Sequence, residues 1–528
     1  MTTSRPRAKL QRQQATWRTR PPQMPTPQPL RPEAPPRRRR RLLMTLRPQR
    51  REKPRPRSRL PSPPQRQQPA RHLHATKPLE RPARRRPRAT RPPRRRRCFC
   101  RSDCSWTTTA TFARRRINVG KLLKDDTGNA ILASLNVQNG LLAQMVRNNA
   151  VSTEVSWDEV KHIAKSGQAD KAFSVGDQLV VKLTDGSNVY DDPWDVTGFA
   201  NVRNKVGDIV PGMFLQQHYT LPFATSFDAR EAFYVAGESG LPAGTYNVTL
   251  GYSQGMMVKG KTYQFTLADP LVKGNQLLGF YGGWDSKVTD WKVYVFDSAS
   301  AATPKATLAV AEGSAGTNLG TLDKPKSGDL WSIQCAAYGN GDWEHSNLRQ
   351  WLNSRDANWF KPKHDYDHIP SASVCYGPYD SRAGFMSMLP DDFVAAVGEV
   401  EVVTARSYIT YGGTSGAPAL SKTFDKFFLP SLEQHWINCN ESSVNGVEGD
   451  PWEYWKLARG GTSKAPLWQK EPAYIQYALN AKTAAQDSWM RSAYRDGACA
   501  PFLVYAGGGV GSYYACNGYR AAPACVIC

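Results

Sequence analysis

The sequence contains no apolar run of the roughly 18 residues that a transmembrane helix needs. Its N-terminus also lacks the apolar core of a secretory signal peptide. These two absences argue against membrane insertion and against ordinary export. A disulfide framework among the ten cysteines is therefore not expected, and the sequence favours buried or incidental thiols.

Carboxylates are nearly missing from the first 116 residues. This segment holds 33 Arg and 3 Lys against four carboxylates, a net charge of +32. The other 412 residues carry 34 basic and 41 acidic side chains, a net charge of −7. The chain is therefore a mildly acidic protein with a very basic extension. Its total charge of +25 does not imply a globular nucleic-acid-binding domain.

Residues 1–116 also hold 21 of the 39 prolines and almost no aliphatic periodicity. Such a composition offers too little apolar surface to offset chain entropy, so we expect this arm to be disordered. Three interpretations stay open: a basic arm that binds nucleic acid or an acidic surface, an Arg-rich transit peptide, or GC-rich DNA translated in a meaningless frame. No function is attached to the arm.

Residues 117–170 carry apolar side chains at helical spacing and are predicted to form a short helical stem, which serves either as an adaptor or oligomerisation element or simply as a helical lead-in. One helix is expected over 131–145, broken at Gly140, and a second over 157–164. Ser156 is the predicted N-cap of the second helix, because Asp158 and Glu159 follow in its first turn.

Between residues 171 and 320 the sequence changes to short apolar segments separated by Gly, Pro, Asn and Asp. This pattern is typical of an antiparallel β-sandwich. Its predicted strands are 178–183, 195–202, 232–236, 246–250, 263–267, 277–281, 291–296 and 307–310.

Residues 321–528 are dense in tryptophan and contain few segments of regular periodicity. A helix is predicted over 347–353, with Leu348, Trp351 and Leu352 on one face. Strands are predicted at 427–429, 502–506 and 525–528. The whole chain is thus expected to be mostly β, with a compact, loop-rich α+β domain at its C-terminal end.

Several clusters resemble catalytic or metal sites but have simpler explanations. Residues 364–368 (HDYDH) lie between prolines and are predicted to form a solvated loop. Asp391 and Asp392 follow a proline and favour a helix N-terminus. Residues 507–511 lack the Lys-Ser/Thr of a phosphate loop and favour a turn. Cys525 and Cys528 lack the second pair that zinc sites need. No catalytic residue, metal or cofactor is predicted.

Residues 491–528 contain no Lys, Glu, Gln, Met or Trp, although these five types make up 71 of the 374 residues from 117 to 490. None of the five can be encoded by a codon that ends in a pyrimidine. The tract instead holds Tyr, Gly, Ser, Asn, Asp, Ala and Cys, a composition typical of binding loops. The alternative is a Gly- and Tyr-rich hairpin of the core.

The end of the chain resembles the variable proteins of diversity-generating retroelements. The resemblance rests on residues 490–495 (MRSAYR), 507–510 (GGGV) and 519–528 (YRAAPACVIC). More specifically, the chain resembles a domain-of-unknown-function family of gut phages and bacteria. That similarity spans about residues 155–528 and excludes the basic arm. It includes segments 157–163, 173–178, 211–214, 337–339, 348–354 and 428–433.

The resemblance implies that a reverse transcriptase copies a template repeat with errors at adenines, and that the copy replaces the 3′ end of the gene. It also implies a C-terminal C-type-lectin-like fold, related to the formylglycine-generating-enzyme fold, with a rigid core that displays a variable ligand-binding face. The candidate face residues are Tyr494, Asp496, Gly497, Cys499, Ala500, Leu503, Tyr505, Ala506, Gly509, Gly511, Ser512, Tyr513, Tyr514, Cys516, Asn517 and Tyr519. The framework positions between them are Arg495, Ala498, Phe502, Val504, Gly508, Val510, Ala515 and Arg520.

The calcium motifs of lectins, Glu-Pro-Asn and Trp-Asn-Asp, are absent, so calcium-dependent sugar binding is not expected. The paired catalytic cysteines of the related enzyme have no convincing counterpart either. The expected function is binding of a protein or glycan on a host or neighbouring cell, from the virion surface or, alternatively, a bacterial surface or the cytoplasm. The alternative functions are an enzyme on the formylglycine-generating-like fold and a purely structural virion subunit. The protein could also assemble as a homo-oligomer.

Overall fold

The structure of the chain is a computed structural model. It describes residues 156–253, 255–279, 287–323, 331–411, 413–414, 417–438, 447–460, 462–467 and 469–528. The disorder predicted for residues 1–116 and the helix predicted over 131–145 lie outside these residues.

Two short helices open the described chain: α1 (Trp157–Lys165) and α2 (Ala169–Ala172). Ser156 caps α1, because its Oγ accepts a hydrogen bond from the Glu159 N–H at 3.3 Å while the Glu159 carboxylate accepts one from the Ser156 N–H at 3.2 Å. Val160 and Ala164 face the core. The predicted cap and the second predicted helix are confirmed.

Three long strands follow: β1 (Gln178–Asp185), β2 (Asn188–Arg203) and β3 (Ile209–Gln217). β1 and β2 form an antiparallel hairpin in which Asp185 pairs with Asn188. Gly186 closes that turn at a φ of +60°, a conformation that glycine adopts without strain. The strands predicted at 178–183 and 195–202 are confirmed.

The next region contains eight strands in two four-stranded sheets. The strands are β4 (Tyr234–Val235), β5 (Gly244–Leu250), β6 (Thr262–Leu267), β7 (Gln276–Gly279), β8 (Lys292–Phe296), β9 (Ala306–Ala309), β10 (Ala311–Glu312) and β11 (Thr317–Leu322). The sheet orders are β10-β6-β5-β11 and β4-β7-β8-β9. All pairs are antiparallel except β5 with β11. Apolar side chains from both sheets share one buried cluster, so this region is a β-sandwich.

The C-terminal region mixes short helices with short strands. Its helices are α3 (Ile333–Tyr338), α4 (Asn347–Leu352), α5 (Asp391–Ala396), α6 (Tyr408–Tyr411) and α7 (Glu453–Arg459). Its strands are β12 (Val400–Ala405), β13 (Gly413–Thr414), β14 (Ala417–Pro418), β15 (Leu420–Asp425), β16 (Phe427–Phe428), β17 (Gln476–Ala478), β18 (Ala481–Gln486), β19 (Ser488–Ala493), β20 (Pro501–Val504), β21 (Val510–Ser512) and β22 (Ala524–Ile527). Turns of 3₁₀ helix lie at Val288–Asp290, Trp343–His345, Phe385–Met388 and Pro472–Tyr474.

The central sheet joins both ends of the described chain, in the order β1-β2-β3-β22-β16. The last strand, β22, lies antiparallel between β3 and β16, with Val526 opposite Phe214. The prediction that the sandwich begins at residue 171 is therefore corrected. β1–β3 belong to the C-terminal sheet, because β3 pairs with β22 at the end of the chain, and the sandwich is inserted between β3 and the C-terminal region.

The main core lies against this sheet and is rich in aromatic rings. Trp194, Trp343, Trp351 and Trp489 are each almost completely buried in it. Leu348, Trp351 and Leu352 of α4 are buried together, as predicted. The described residues are thus mostly β, with short helices and irregular segments between the strands. No helix among them has the length and apolarity to cross a membrane.

Candidate ligand-binding face

A three-stranded antiparallel sheet, β19-β20-β21, carries the tract that begins at residue 491. Phe502, Val504 and Val510 are buried, and they fix this sheet to the core. Three loops leave it, at 494–500, 505–509 and 513–523. The glycine-rich loop is the turn between β20 and β21, as predicted, because the Tyr505 N–H donates to the Gly509 carbonyl at 2.7 Å.

The backbone of the last loop is held by residues far away in sequence. The Ala515 carbonyl accepts hydrogen bonds from the N–H groups of Phe227 and Asp228, at 2.8 and 3.1 Å. The Cys516 N–H donates to the Tyr338 carbonyl at 2.8 Å, and the Tyr519 N–H donates to the Thr225 carbonyl at 3.2 Å. Side chains on this loop can therefore change while the backbone keeps its partners.

The sixteen candidate face residues differ widely in exposure. Two are exposed and seven are half-buried: Asp496, Tyr513, Tyr494, Tyr505, Ala506, Ser512, Tyr514, Asn517 and Tyr519. The other seven are buried: Gly497, Cys499, Ala500, Leu503, Gly509, Gly511 and Cys516. Among the candidate residues, only the first nine are thus accessible. Among the framework positions, Arg495 and Arg520 are half-buried and the other six are buried.

Four tyrosines of the tract form what we call the tyrosine face: Tyr505, Tyr513, Tyr514 and Tyr519. The Tyr513 ring lies edge-on to Tyr514 and Tyr519, with centroids 5.4 and 5.6 Å apart. Tyr514 stacks on Tyr338 outside the tract at 3.8 Å. Burial raises the pKa of Tyr505, and it raises the pKa of Tyr519 to about 12, so both hydroxyls stay protonated at neutral pH.

Beneath this face runs a buried segment with three ionisable side chains, residues 227–232. The Asp228 carboxylate accepts hydrogen bonds from the N–H groups of Asn340 and Asn347, both at 2.9 Å. The Glu231 carboxylate accepts one from the Asn340 side-chain amide at 3.1 Å. Burial raises the pKa of both carboxyl groups well above the usual range.

The burial of this segment is not apparent from the sequence. Three ionisable residues within four positions (DARE) are typical of an exposed turn, and the flanking Phe227 and Phe233 are the only signal of burial.

The predicted polar loop at 364–368 is a loop, but it is not fully solvated. His368 is buried because its ring packs against Phe296 at 4.2 Å and its Nδ1 lies 2.8 Å from Gln276 Oε1. The prediction of a solvated loop is therefore wrong for His368. Asp391 and Asp392 begin α5, as predicted.

Cysteines and acidic residues offer other potential ligands. The thiols of the described chain are all free and buried, as predicted: Cys335, Cys375, Cys499, Cys516, Cys525 and Cys528. Ligand atoms of Asp342, Glu344 and His345 lie within 4.8 Å of one another. The Arg406 guanidinium contacts the Glu344 carboxylate and lies 3.8 Å from that of Asp342, so a positive charge already occupies this cluster.

A cavity of about 420 Å³ lies between the central sheet and β12. Arg491 lines it, but its guanidinium donates to the carbonyls of Leu429 and Glu448, at 2.8 and 2.6 Å, and to Gln434 Oε1 at 2.5 Å. These contacts tie the first residue of the tract to the loops around it. We assign Arg491 a structural role.

The fold and the face together describe a β-rich protein that displays aromatic side chains on anchored loops. A family model described as a domain of unknown function (DUF6273) matches residues 330–528. The matched region contains the tyrosine face and ends at the last residue of the chain. No curated protein and no solved structure matches the chain.

Proposed function

We propose that this chain is a ligand-binding protein whose tyrosine face recognises a protein or glycan on another cell. The proposal includes diversification of residues 494–519 by a retroelement, a C-type-lectin-like C-terminal domain and display on a phage particle. One observation carries it: the tract without Lys, Glu, Gln, Met and Trp is also the segment whose loops hold a cluster of accessible tyrosines.

Physical chemistry supports two roles within the tract: accessible side chains contact the ligand, and buried side chains hold the fold. Tyrosine offers a large, stiff contact surface with a polar tip, and it often carries much of the energy of an interface. The backbone of the loop at 513–523 is anchored by Thr225, Phe227, Asp228 and Tyr338, which lie outside the tract. Substitution of accessible side chains therefore leaves the core in place, which a diversified binding protein requires.

Neighbouring DNA gives the most direct test of diversification. We expect a reverse transcriptase gene and a near-copy of the 3′ end of this gene, with differences at template adenines. Among sibling genes, codons for the nine accessible residues should vary while those for Phe502, Val504 and Val510 stay constant. Identical codons across 494–519 would instead favour a purely structural virion subunit.

A binding experiment tests the face itself. Full-length protein carrying Tyr505→Ser, Tyr513→Ser or Tyr519→Ser is labelled, and its adsorption to a panel of gut bacterial isolates is compared with that of the parent. Because interface tyrosines commonly contribute about 2 kcal/mol or more, at least one variant should bind more than about tenfold more weakly. Tyr190→Ser, a half-buried tyrosine on β2, is the matched control. Unchanged adsorption together with lowered stability in all three variants would identify them as core residues.

A further inference from the structure

A second cavity, of about 210 Å³, lies where the sandwich meets the C-terminal region. Its polar lining comes from Arg230, Asp290, Lys292, Tyr294, Ser373 and Tyr376. This volume is far above the roughly 10–15 Å³ that one water needs, so a carboxylate or phosphate group fits in it.

Two segments, besides the one that carries Arg230, position these side chains. Lys292 and Tyr294 lie on β8, and they alternate with Val293 and Val295, which are buried in the sandwich core. Ser373 lies in a turn closed by the Val374 N–H, which donates to the Ser371 carbonyl at 3.0 Å. The lining therefore belongs to ordered backbone on both sides of the cavity.

Arg230 is one of the residues that line the cavity. It is 7% exposed, and its Nε has no hydrogen-bond partner among the described residues. Within that part of the chain, no ion pair joins its guanidinium to a carboxylate. A buried charge without a counter-charge is costly, so such groups are ordinarily paired in proteins.

The groups nearest to Arg230 do not supply that counter-charge. Burial raises the pKa of the Cys516 thiol above its usual value, although Arg230 beside it acts in the opposite direction. The thiol is therefore neutral at neutral pH. The adjacent carboxyl groups of Asp228 and Glu231 have pKa values raised well above the usual range by burial.

The ionisable lining has one surplus positive charge. Arg230 and Lys292 face a single carboxylate, that of Asp290, which accepts a hydrogen bond from the Lys287 N–H at 3.2 Å. A guanidinium presents a planar set of donors that matches a carboxylate or a phosphate in shape and charge.

The cavity also adjoins the tract. Tyr376 lines it and is 64% exposed, and the Tyr376 N–H donates to the Cys516 carbonyl at 2.8 Å. We propose that Arg230, Lys292 and Ser373 bind an anionic group, a carboxylate or a phosphate, of the ligand that the tyrosine face holds. This inference rests on the proposed function and adds that the ligand is acidic.

The test uses the full-length protein and small anions at constant ionic strength. Glucuronate serves as the carboxylate probe, inorganic phosphate as the phosphate probe, and glucose as the neutral control. We expect one or both anions to bind in calorimetric titrations and to raise the melting temperature, while glucose does neither. Comparison of glucuronate with inorganic phosphate shows whether the cavity prefers a carboxylate or a phosphate.

Substitutions test whether the anion binds in this cavity. Lys292→Met should weaken anion binding about tenfold, because it removes a charged donor. The control is Lys273→Met, which changes an exposed lysine of the sandwich that does not line the cavity. Arg230→Met should abolish binding, and if that variant fails to fold, Ser373→Ala combined with Lys292→Met carries the test. No binding of either anion, or equal binding by Lys292→Met, overturns the proposal.

The two proposals fail in distinguishable ways. If the tyrosine variants lose cell adsorption while anions neither bind nor compete, the tyrosine face stands and the acidic ligand is wrong. If anions bind at Lys292 while the tyrosine variants adsorb normally, the cavity stands and the proposed face is wrong.

Discussion

Phe502 and Tyr513 represent the two roles of side chains in the tract. Phe502 lies on β20, is fully buried and contacts the ring of Tyr494 with centroids 6.0 Å apart. Tyr513 is 40% exposed, and its ring makes T-shaped contacts with the rings of Tyr514 and Tyr519. The same tract therefore contains residues that hold the fold and residues free to meet a ligand.

Stability measurements should separate these roles. Phe502→Ala should lower the free energy of unfolding by about 3–5 kcal/mol, because it leaves a cavity in the core. Tyr513→Ser should lower it by about 1 kcal/mol or less, the range of partly exposed positions. Urea denaturation of both variants measures the difference. Equal losses would place Tyr513 in the core and contradict its assignment to the face.

Burial within the tract could be predicted only in part. Strict alternation of exposed and buried residues requires a strand with one face in water. Leu503 is a candidate face residue by that alternation, yet β20 is covered on both faces and Leu503 is as buried as Phe502. Cys499 and Cys516 are buried because the sandwich, whose packing the local sequence does not encode, lies against them.

At the scale of elements, local signals were sufficient for most strands and helices. The Ser156 cap, the Asp185-Gly186 turn and the apolar face of α4 each depend on residues close in sequence. The pairing of β22 with its partner strand does not depend on residues close in sequence. The pairing with β3 joins residues about 300 positions apart, and nothing in either segment specifies that register. The predicted domain boundary needed correction for this reason.

The position of β22 predicts that folding requires the end of the chain. Removal of Ala524–Ile527 and Cys528 would leave the facing edges of β3 and β16 without hydrogen-bond partners. We expect the truncated protein to lose cooperative unfolding of the C-terminal region in calorimetry. As milder tests, Ile527→Ala should cost about 2–5 kcal/mol and Ile527→Val about 0.5–1.5 kcal/mol. A truncated chain that melts like the parent would contradict the observed sheet order.

At the scale of the whole described chain, polar contacts join the sandwich to the C-terminal region. The Gln276 side-chain amide donates to the Asp367 carbonyl at 3.0 Å, and Gln276 Oε1 lies 2.8 Å from His368 Nδ1. The His368 ring also packs against Phe296 of β8. This junction lies next to the cavity of Arg230, since both involve β8 and the segment 364–376.

The His368 contact should make the junction sensitive to acid. Burial lowers the pKa of His368 to about 3 from an unfolded value near 6.5, so the folded state disfavours the charged ring. Its contribution to stability is complete above pH 6.5 and is lost as the pH falls from 6.5 towards 3. The loss reaches about 1.4 kcal/mol per pH unit, because the unfolded chain binds one more proton.

His368→Asn retains a donor near Gln276 but does not titrate. We therefore expect it to reduce the pH slope of the unfolding free energy by about 1.4 kcal/mol per pH unit between pH 6 and 4. The comparison of slopes cancels the titration of other groups, which both proteins share. His162→Gln, on the exposed side of α1, is the control for loss of a histidine. Equal slopes in the parent and His368→Asn would show that protonation of His368 does not oppose folding, and that acid acts on the molecule elsewhere.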